Sequence, residues 1–342
     1  MAKTSFSTSN ALTKKAWEEQ LFRDMDKESY FSKFSGTTSE SIVQVKTQLE
    51  KDKGDKITFG LVPRLTGAGV TSGTTLEGKE ERLNDYSDSV TLEQYRNGIR
   101  DDGALSRQRA MFEIDNESKM RIKQWGTDKI DALHFTALLD RTPTHVAYLT
   151  SATAYDIETT AATAKAALTT SSKLVPNFLS FVKTAVTTGL NRSIIPVRPV
   201  KIKGRSYLVL LVHPDVMYDL KTNSAYQQYL REAEVRGSEN PIFSGAVAII
   251  DGVAIHEHEN CSIGTDAGAG GNVPWAKCEL LGAQSLVTAW GKRPSVISEN
   301  FDYENEHGYA IDMTLGIKKP QFNSVDYGSM AVYVARTQVS DS

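Results

Sequence analysis

The sequence predicts an α+β fold in which a charged, extended N-terminal part leans on a more apolar C-terminal part. Three observations carry this. Residues 1–140 hold 21 Lys/Arg and 23 Asp/Glu, against 18 and 19 in the longer remainder. Dense mixed charge with few large apolar residues favours exposed arms and helices over an independent core. The stretch 104–139 has no proline and only Gly126 as a breaker, so it reads as one helix of roughly 50 Å at 1.5 Å per residue. After Thr142 the pattern changes to short β-type runs and brief helices separated by glycine, proline and aspartate turns, which suits an α+β arrangement.

Composition excludes several classes. The 342 residues carry a net charge of -3, with 40% hydrophobic and 24% charged residues. Such a near-neutral chain is not a polyanion-wrapping protein. Two cysteines supply neither a disulfide framework nor a zinc quartet. The longest apolar runs, Tyr207–Val212 and Ala246–Ile250, fall far short of the ~20 residues of a membrane span. The first 20 residues hold no apolar signal core. A protein made in a cytoplasm, with no membrane partner, is therefore expected.

The elements follow in order. Ala11–Ser29 reads as an amphipathic helix, with Leu12, Ala16, Leu21 and Met25 on one face. Ile42–Leu49 and Ile57–Val62 are strands, expected to pair as the base of a hairpin. Residues 66–103 hold six glycines among Lys79, Glu80, Glu81, Arg82, Asp85 and Asp88. This is too long and too polar for an ordinary loop. It reads equally as a solvated insertion or as an extended hairpin reaching a neighbouring subunit, with Val90, Leu92 and Tyr95 on one returning strand. In the long helix, Leu105, Phe112, Met120, Ile122, Trp125, Ile130, Leu133 and Ala137 form an imperfect apolar seam, as of a spine laid across a sheet. Ala152–Ser172 is marginally helical. Pro176 opens a helix that Gly189 ends. Strands 196–202 and 207–212 form a hairpin, and short helices follow near 214–220 and 225–235. Strands 242–250 and 253–258 flank Asp251-Gly252. Residues 262–272 read as a loop, 277–290 as mixed apolar, and 309–317 and 328–335 as closing strands.

No combination of residues assembles an active site. His213-Pro214-Asp215 matches a J-domain tripeptide, but here it follows a strand, and proline with aspartate suits a helix start. His256 and His258 share one strand face and make the best metal candidate, with Cys261, Glu259 or His307 as further ligands. A solvated strand end is the plainer reading. Gly264–Gly271 lacks the order of a phosphate loop and reads as flexible surface. No nucleophile motif occurs, and Cys278 reads as buried. Arg192, Arg198, Lys201, Lys203 and Arg205 make a basic strip that suits a solvated hairpin face better than a nucleic-acid site. No cofactor and no catalytic residue are expected.

The order of elements resembles the major capsid proteins of tailed double-stranded-DNA bacteriophages with the Hong Kong 97 (HK-97) shell fold. The second half is similar to the capsid family typified by phage N-four. The stretches that carry the likeness are Tyr207–Leu220, Asn240–Asn260, Leu280–Trp290, Gly316–Phe322 and Asp326–Gly328, with Thr58–Leu65 and the opening helix.

The resemblance implies an HK-97-like capsid fold. Its parts would be an N-terminal arm (1–40), peripheral strands with an extended hairpin or E-loop (41–103), a spine helix (104–141), a mainly axial domain (142–300) and returning strands of the peripheral and axial sheets (301–342). It implies self-assembly into hexamers and pentamers of an icosahedral shell around packaged double-stranded DNA, in the virion, with a portal and possible scaffolding or decoration proteins as partners. Inter-subunit contacts are expected at Lys79, Glu80, Glu81, Arg82, Asp85, Asp88, Arg107, Arg109 and Glu113. An encapsulin-type compartment shell, or a metal-dependent enzyme using His256 and His258, are the alternatives.

Overall fold

The computed structural model describes residues 29–50, 54–62, 65, 69–83, 85–109, 114–189, 195–202, 205–228 and 248–338. The expected Ala11–Ser29 helix lies almost wholly outside them. Among the described residues two large sheets carry the fold, and the chain passes repeatedly between them.

The first sheet has five strands in the order β1 (Ser35–Gly36), β2 (Val43–Lys46), β14 (Leu286–Phe301), β15 (Glu306–Lys318), β5 (Glu93–Arg100). The helix Ile114–Leu139 lies on it. Its buried positions Ile122, Gly126, Ile130 and His134 recur every fourth residue, one stripe of a 3.6-residue period. Ile122 and Ile130 pack with Trp290, Val296, Ile311, Met313 and Leu315 of β14 and β15. Gly126 sits inside this helix rather than breaking it. Leu105 and Met120, expected in the seam, are exposed instead. A shorter helix, Ala104–Arg109, precedes.

The pairing of the first strands corrects the expected hairpin. β2 runs parallel to β1 and β14. β3 (Lys56–Leu61) pairs antiparallel with β4 (Tyr86–Thr91), so the hairpin base closes around residues 62–85. The single returning strand expected near Val90–Tyr95 is two strands, β4 and β5, hinged at Leu92. Its N–H donates to the Asp55 carbonyl at 2.7 Å. Ile57 and Val90 pack on Val287 and Ala289, which anchors the hairpin base on β14.

The second sheet has nine strands. Its main path is β10 (Ala248–Ile250), β11 (Val253–Glu257), β9 (Arg205–Val212), β13 (Val273–Leu281), β18 (Ser329–Ala335), β6 (Val146–Ser151), β7 (Ala154–Glu158). β8 (Val200–Ile202) joins at β9 and β12 (Ile263–Ala267) at β13. A small hairpin, β16 (Gln321–Phe322) with β17 (Val325–Asp326), links the sheets. On one face the helices Pro176–Thr188 and Pro214–Thr222 seal the main core, with Phe178, Val182, Val216, Met217 and Leu220 against Leu208, Leu210, Ile255 and Cys278. Gly189 ends the first of these helices at φ 73°, as a left-handed C-terminal residue does.

Three expectations change. Residues 154–158 of the helical 152–172 stretch are β7, and only Ala161–Ala167 is helix. The expected loop 262–272 contains β12, whose Ala267 is buried. β14, expected with the 142–300 region, belongs to the five-stranded sheet. Strand pairing overrides weak local preference in each case: β7 pairs with its neighbour β6, β12 with its neighbour β13, and β14 with β15 and the distant β2.

Candidate functional site

Among the described residues the Thr288 hydroxyl donates to His134 Nε2 at 3.0 Å, but that ring is buried and its Nδ1 is bound to the Ile130 carbonyl; what the outside of the molecule presents is exposed apolar side chains. Residues 62–85 run between β3 and β4, and their large apolar side chains Val62, Leu65, Leu76 and Leu83 are all exposed, each by more than half. Met120, on the outer face of the Ile114–Leu139 helix, is 65% exposed, and Leu105 is 58% exposed. Four large apolar side chains on one segment are thus uncovered by their own chain. Sequence reasoning found the segment but missed these residues. Their signal is present, as isolated leucines and valines in a Gly-rich charged stretch.

Lys79, Glu80, Glu81, Arg82 and Asp85 are exposed on the same segment. Asp88 is engaged within its own chain. It accepts from Lys318 Nζ and from the Gln321 N–H at 3.0 Å. Burial opposes its ionisation, but the hydrogen bonds from Lys318, Gln321 and Ser89 outweigh that and hold the carboxyl below its usual range. Arg107 pairs with Asp101. The Arg109 side chain and Glu113 lie outside the described residues. Of the seven described, Asp88 and Arg107 are thus engaged within their own chain.

His256 and His258 do share a face, but that face is covered. Tyr30, Phe34 and Phe135 pack on them, with Phe34 5.2 Å from His256 and Phe135 4.4 Å from His258, ring centre to ring centre. His256 is 2% exposed, so the expected solvated strand end is wrong. Its cause is the 3₁₀ turn Tyr30–Phe34, which local pattern does not place there. His307, Asp101 and Asp115 bring one ligand atom each within 4.8 Å of one another. Both Asp101 oxygens are already taken, one by Arg107 and one by the His307 N–H at 2.5 Å.

The remaining motifs are structural. Pro214 starts a helix whose N-cap is His213, accepting from the Asp215 N–H at 3.2 Å. Asp266, in the expected flexible loop, accepts from Trp275 Nε1 at 2.6 Å. Arg198, Lys201 and Arg205 are exposed; Arg192 and Lys203 lie outside the described residues. Cys261 and Cys278 are buried, and burial pushes the Cys261 thiol up to about 12.

A fully buried charge network joins the sheets. Lys319 Nζ donates to Glu279 at 2.6 Å and lies 3.1 Å from Asp326. Lys277 donates to the Leu139 and Arg141 carbonyls. Burial lowers the Lys319 pKa, but the two carboxylates outweigh burial and raise it. Lys319 lies 40 positions from Glu279 and only 7 from Asp326, and no local signal links the three. Among the described residues no helix is long and apolar enough to cross a membrane.

The described residues thus present two sheets, a long helix lying on one of them, and a segment between β3 and β4 with exposed apolar side chains. The family model for phage capsid protein matches residues 4–337, and the chain belongs to that family. It is 28% identical to a major capsid protein of Pseudomonas phage KPP25, over 97% of each chain. Among solved structures it is similar to the capsid of Ralstonia phage GP4, with a TM-score of 0.78, 26% identity and complete coverage of both chains. The Cyanophage Pam1 capsid has the same fold, with a TM-score of 0.76 at 23% identity over 98% of this chain and 99% of that one. The fold is the α+β HK-97-like capsid fold. The protein is a structural component of a virion shell, formed by self-association, and not an enzyme.

Proposed function

We propose that this chain forms the hexamers and pentamers of an icosahedral shell that encloses phage double-stranded DNA. Residues 62–85 with β3 and β4 are the E-loop, and the Ile114–Leu139 helix is the spine of the peripheral domain. The nine-stranded sheet with its helices is the axial domain. Residues 1–40 are the N-terminal arm, 41–103 the peripheral strands and E-loop, 104–141 the spine region, 142–300 mainly axial, and 301–342 the returning strands. Because β14 lies in the five-stranded sheet, the axial part ends nearer residue 281 in this reading.

The observation that carries the reading is the row of exposed apolar side chains on the 62–85 segment. Burying a leucine fully is worth about 1.5–3 kcal/mol, and a second copy supplies the missing cover. Its Met120 and Leu105 are the matching exposed apolar residues. Lys79, Glu80, Glu81, Arg82 and Asp85, with Arg109 and Glu113, add ion pairs worth about 0–1 kcal/mol each when exposed, repeated around closed rings. Asp88 and Arg107 contribute by fixing the segment's base. DNA contact is non-specific, as the near-neutral charge requires. A portal complex, and scaffolding or decoration proteins, are the further partners. The chain is synthesised in the host cytoplasm.

Negative-stain imaging of the overexpressed protein tests this. Closed shells are expected. Deleting residues 69–83 is expected to abolish them while the two-sheet body stays folded. A compact monomer at all concentrations and salts overturns the reading. Shells that contain a protein cargo and no DNA, recovered from infected cells, would move it to a compartment shell.

A further inference from the structure

The turn Tyr30–Phe34 is where the N-terminal region joins the described fold; Phe31 is buried in a core cluster, and open space flanks the turn on two sides. A cavity of about 410 Å³ lies on one side, lined by Lys33, Phe34 and His256 among others. A second of about 230 Å³ lies on the other, against Ser29, Ser32 and His134. Between them the turn is held by a few defined contacts. Ser29 Oγ and the Tyr30 N–H donate to the two Asp131 oxygens at 2.5 and 2.9 Å. Phe31 stacks on His134 at 4.8 Å, and Tyr30 stands edge-on to His258 at 4.5 Å.

One further contact is chemically conditional. Lys33 Nζ lies 3.4 Å from His256 Nδ1 and 4.0 Å from the centre of the Tyr30 ring. A lysine can donate to a neutral imidazole nitrogen, but it has nothing to offer an imidazolium. We propose that Ser29–Phe34 is an acid-releasable latch: a proton on His256 turns the Lys33 hydrogen bond into a contact between two cations inside an aromatic cage, and the turn leaves the sheet.

The groups around His256 do not cancel this. From the turn comes Lys33. From β11 and the residues after it come Glu257, His258, Glu259 and Cys261. Glu257 is directed to Lys221, at 3.8 Å. From the long helix come Asp131, spent on Ser29 and Tyr30, and His134. The His134 Nδ1–H donates to the Ile130 carbonyl at 2.8 Å, and its Nε2 accepts from the Thr288 hydroxyl at 3.0 Å. Glu40 and Lys201 line the larger cavity with opposite charges. Burial first, and Lys33 second, lower His256 to about 4. Burial also lowers His258, against the opposing pull of Asp131 and Glu259.

The sign follows from linkage. The released His256 returns to about 6.5, so the released form binds the proton more tightly. The latch is intact above pH 6.5 and weakens as pH falls toward 4. Between pH 7 and pH 5 this amounts to about a 20-fold shift toward the released form.

Hydrogen exchange on the full-length protein reads this directly, with rates corrected for the intrinsic pH dependence and peptides of β13 as the internal reference. The peptide covering 29–36 is expected to lose about 20-fold in protection between pH 7 and pH 5 in the wild type. His256→Gln, which takes up no proton, should lose clearly less than the wild type, keeping only what His258 and His134 contribute, and Lys33→Met should show a smaller loss than wild type. A wild-type peptide indifferent to pH overturns the proposal, and so does a His256→Gln protein that keeps the full acid loss. If His256→Gln does not fold, Lys33→Met decides: a reduced loss supports the latch, and an undiminished one overturns it.

Discussion

Lys319→Met removes the cation at the centre of the buried network and leaves Glu279 and Asp326 facing each other's charge. Lys319 and Glu279 have wholly buried side chains, and Asp326 is 5% exposed. Neither carboxylate gains water in the folded state, so the loss is that of a broken buried pair rather than of a surface one. The expected cost is about 3–5 kcal/mol at neutral pH. Urea unfolding of the unassembled subunit, followed by circular dichroism, measures it. Glu279→Leu combined with Lys319→Met removes one of the two stranded carboxylates and leaves Asp326 with its bonds from Gln321 and the Thr144 N–H. The double variant should then be more stable than the sum of the two single losses predicts, by 1 kcal/mol or more. Because the Lys319 pKa is raised in the fold, its contribution is complete at neutral pH and is lost only as pH rises through the raised value. A loss under 1 kcal/mol for Lys319→Met, or strict additivity in the double variant, would show that packing alone holds this joint.

Leu76→Asp with Leu83→Asp should abolish shells in electron micrographs while shifting subunit stability by no more than about 0.5 kcal/mol, since both side chains are exposed. A large stability loss would mean that the segment is part of the body. Gly316→Ala should cost about 1–3 kcal/mol in urea unfolding, because a Cβ there collides with the Thr91 carbonyl where β4 crosses β15; a neutral result would contradict that close approach. Asp88→Asn should flatten the acid limb of stability. The Asp88 pKa is lowered in the fold, so its contribution is present above the unfolded value and disappears as pH falls through the folded one. Both cysteines are buried, and thiol reagents should modify them at pH 8 only as the chain unfolds; rapid native labelling would place one at the surface.

Much of the architecture is legible locally. Pro176 and Gly189 bracket a helix because one tolerates a first helical turn and the other a left-handed end. The strands around Asp251-Gly252 form a hairpin for similar reasons, with Asp251 at φ 48° and Gly252 at φ 76°. The misreadings have one origin. Ser262–Asn272 looks like a loop because Gly264 and Gly268 weaken a strand pattern. Yet Gly264 is where the Trp275 ring lies so close that a Cβ would overlap it. The 42–49 and 57–62 strands looked like partners because they are neighbours in sequence, but β2 found its partner in β14, more than 200 residues away. The assembly segment was legible as an oddity of composition, and its apolar contacts were not, because exposure is a property of the folded surface.

By itself the sequence determined that this chain carries a charged N-terminal part with little core of its own, one long helix and an α+β second half. Those properties follow from composition, periodicity and turn chemistry, which act over a few residues. Only the tertiary structure decided what meets what. It brought Lys319 to Glu279 and Asp326, folded Tyr30 and Phe34 over His256 and His258, and left Leu76, Leu83 and Met120 outside. Each depends on contacts between segments far apart in the chain. Which partner such a residue finds is fixed by the burial of the whole sheet rather than by any preference of its own.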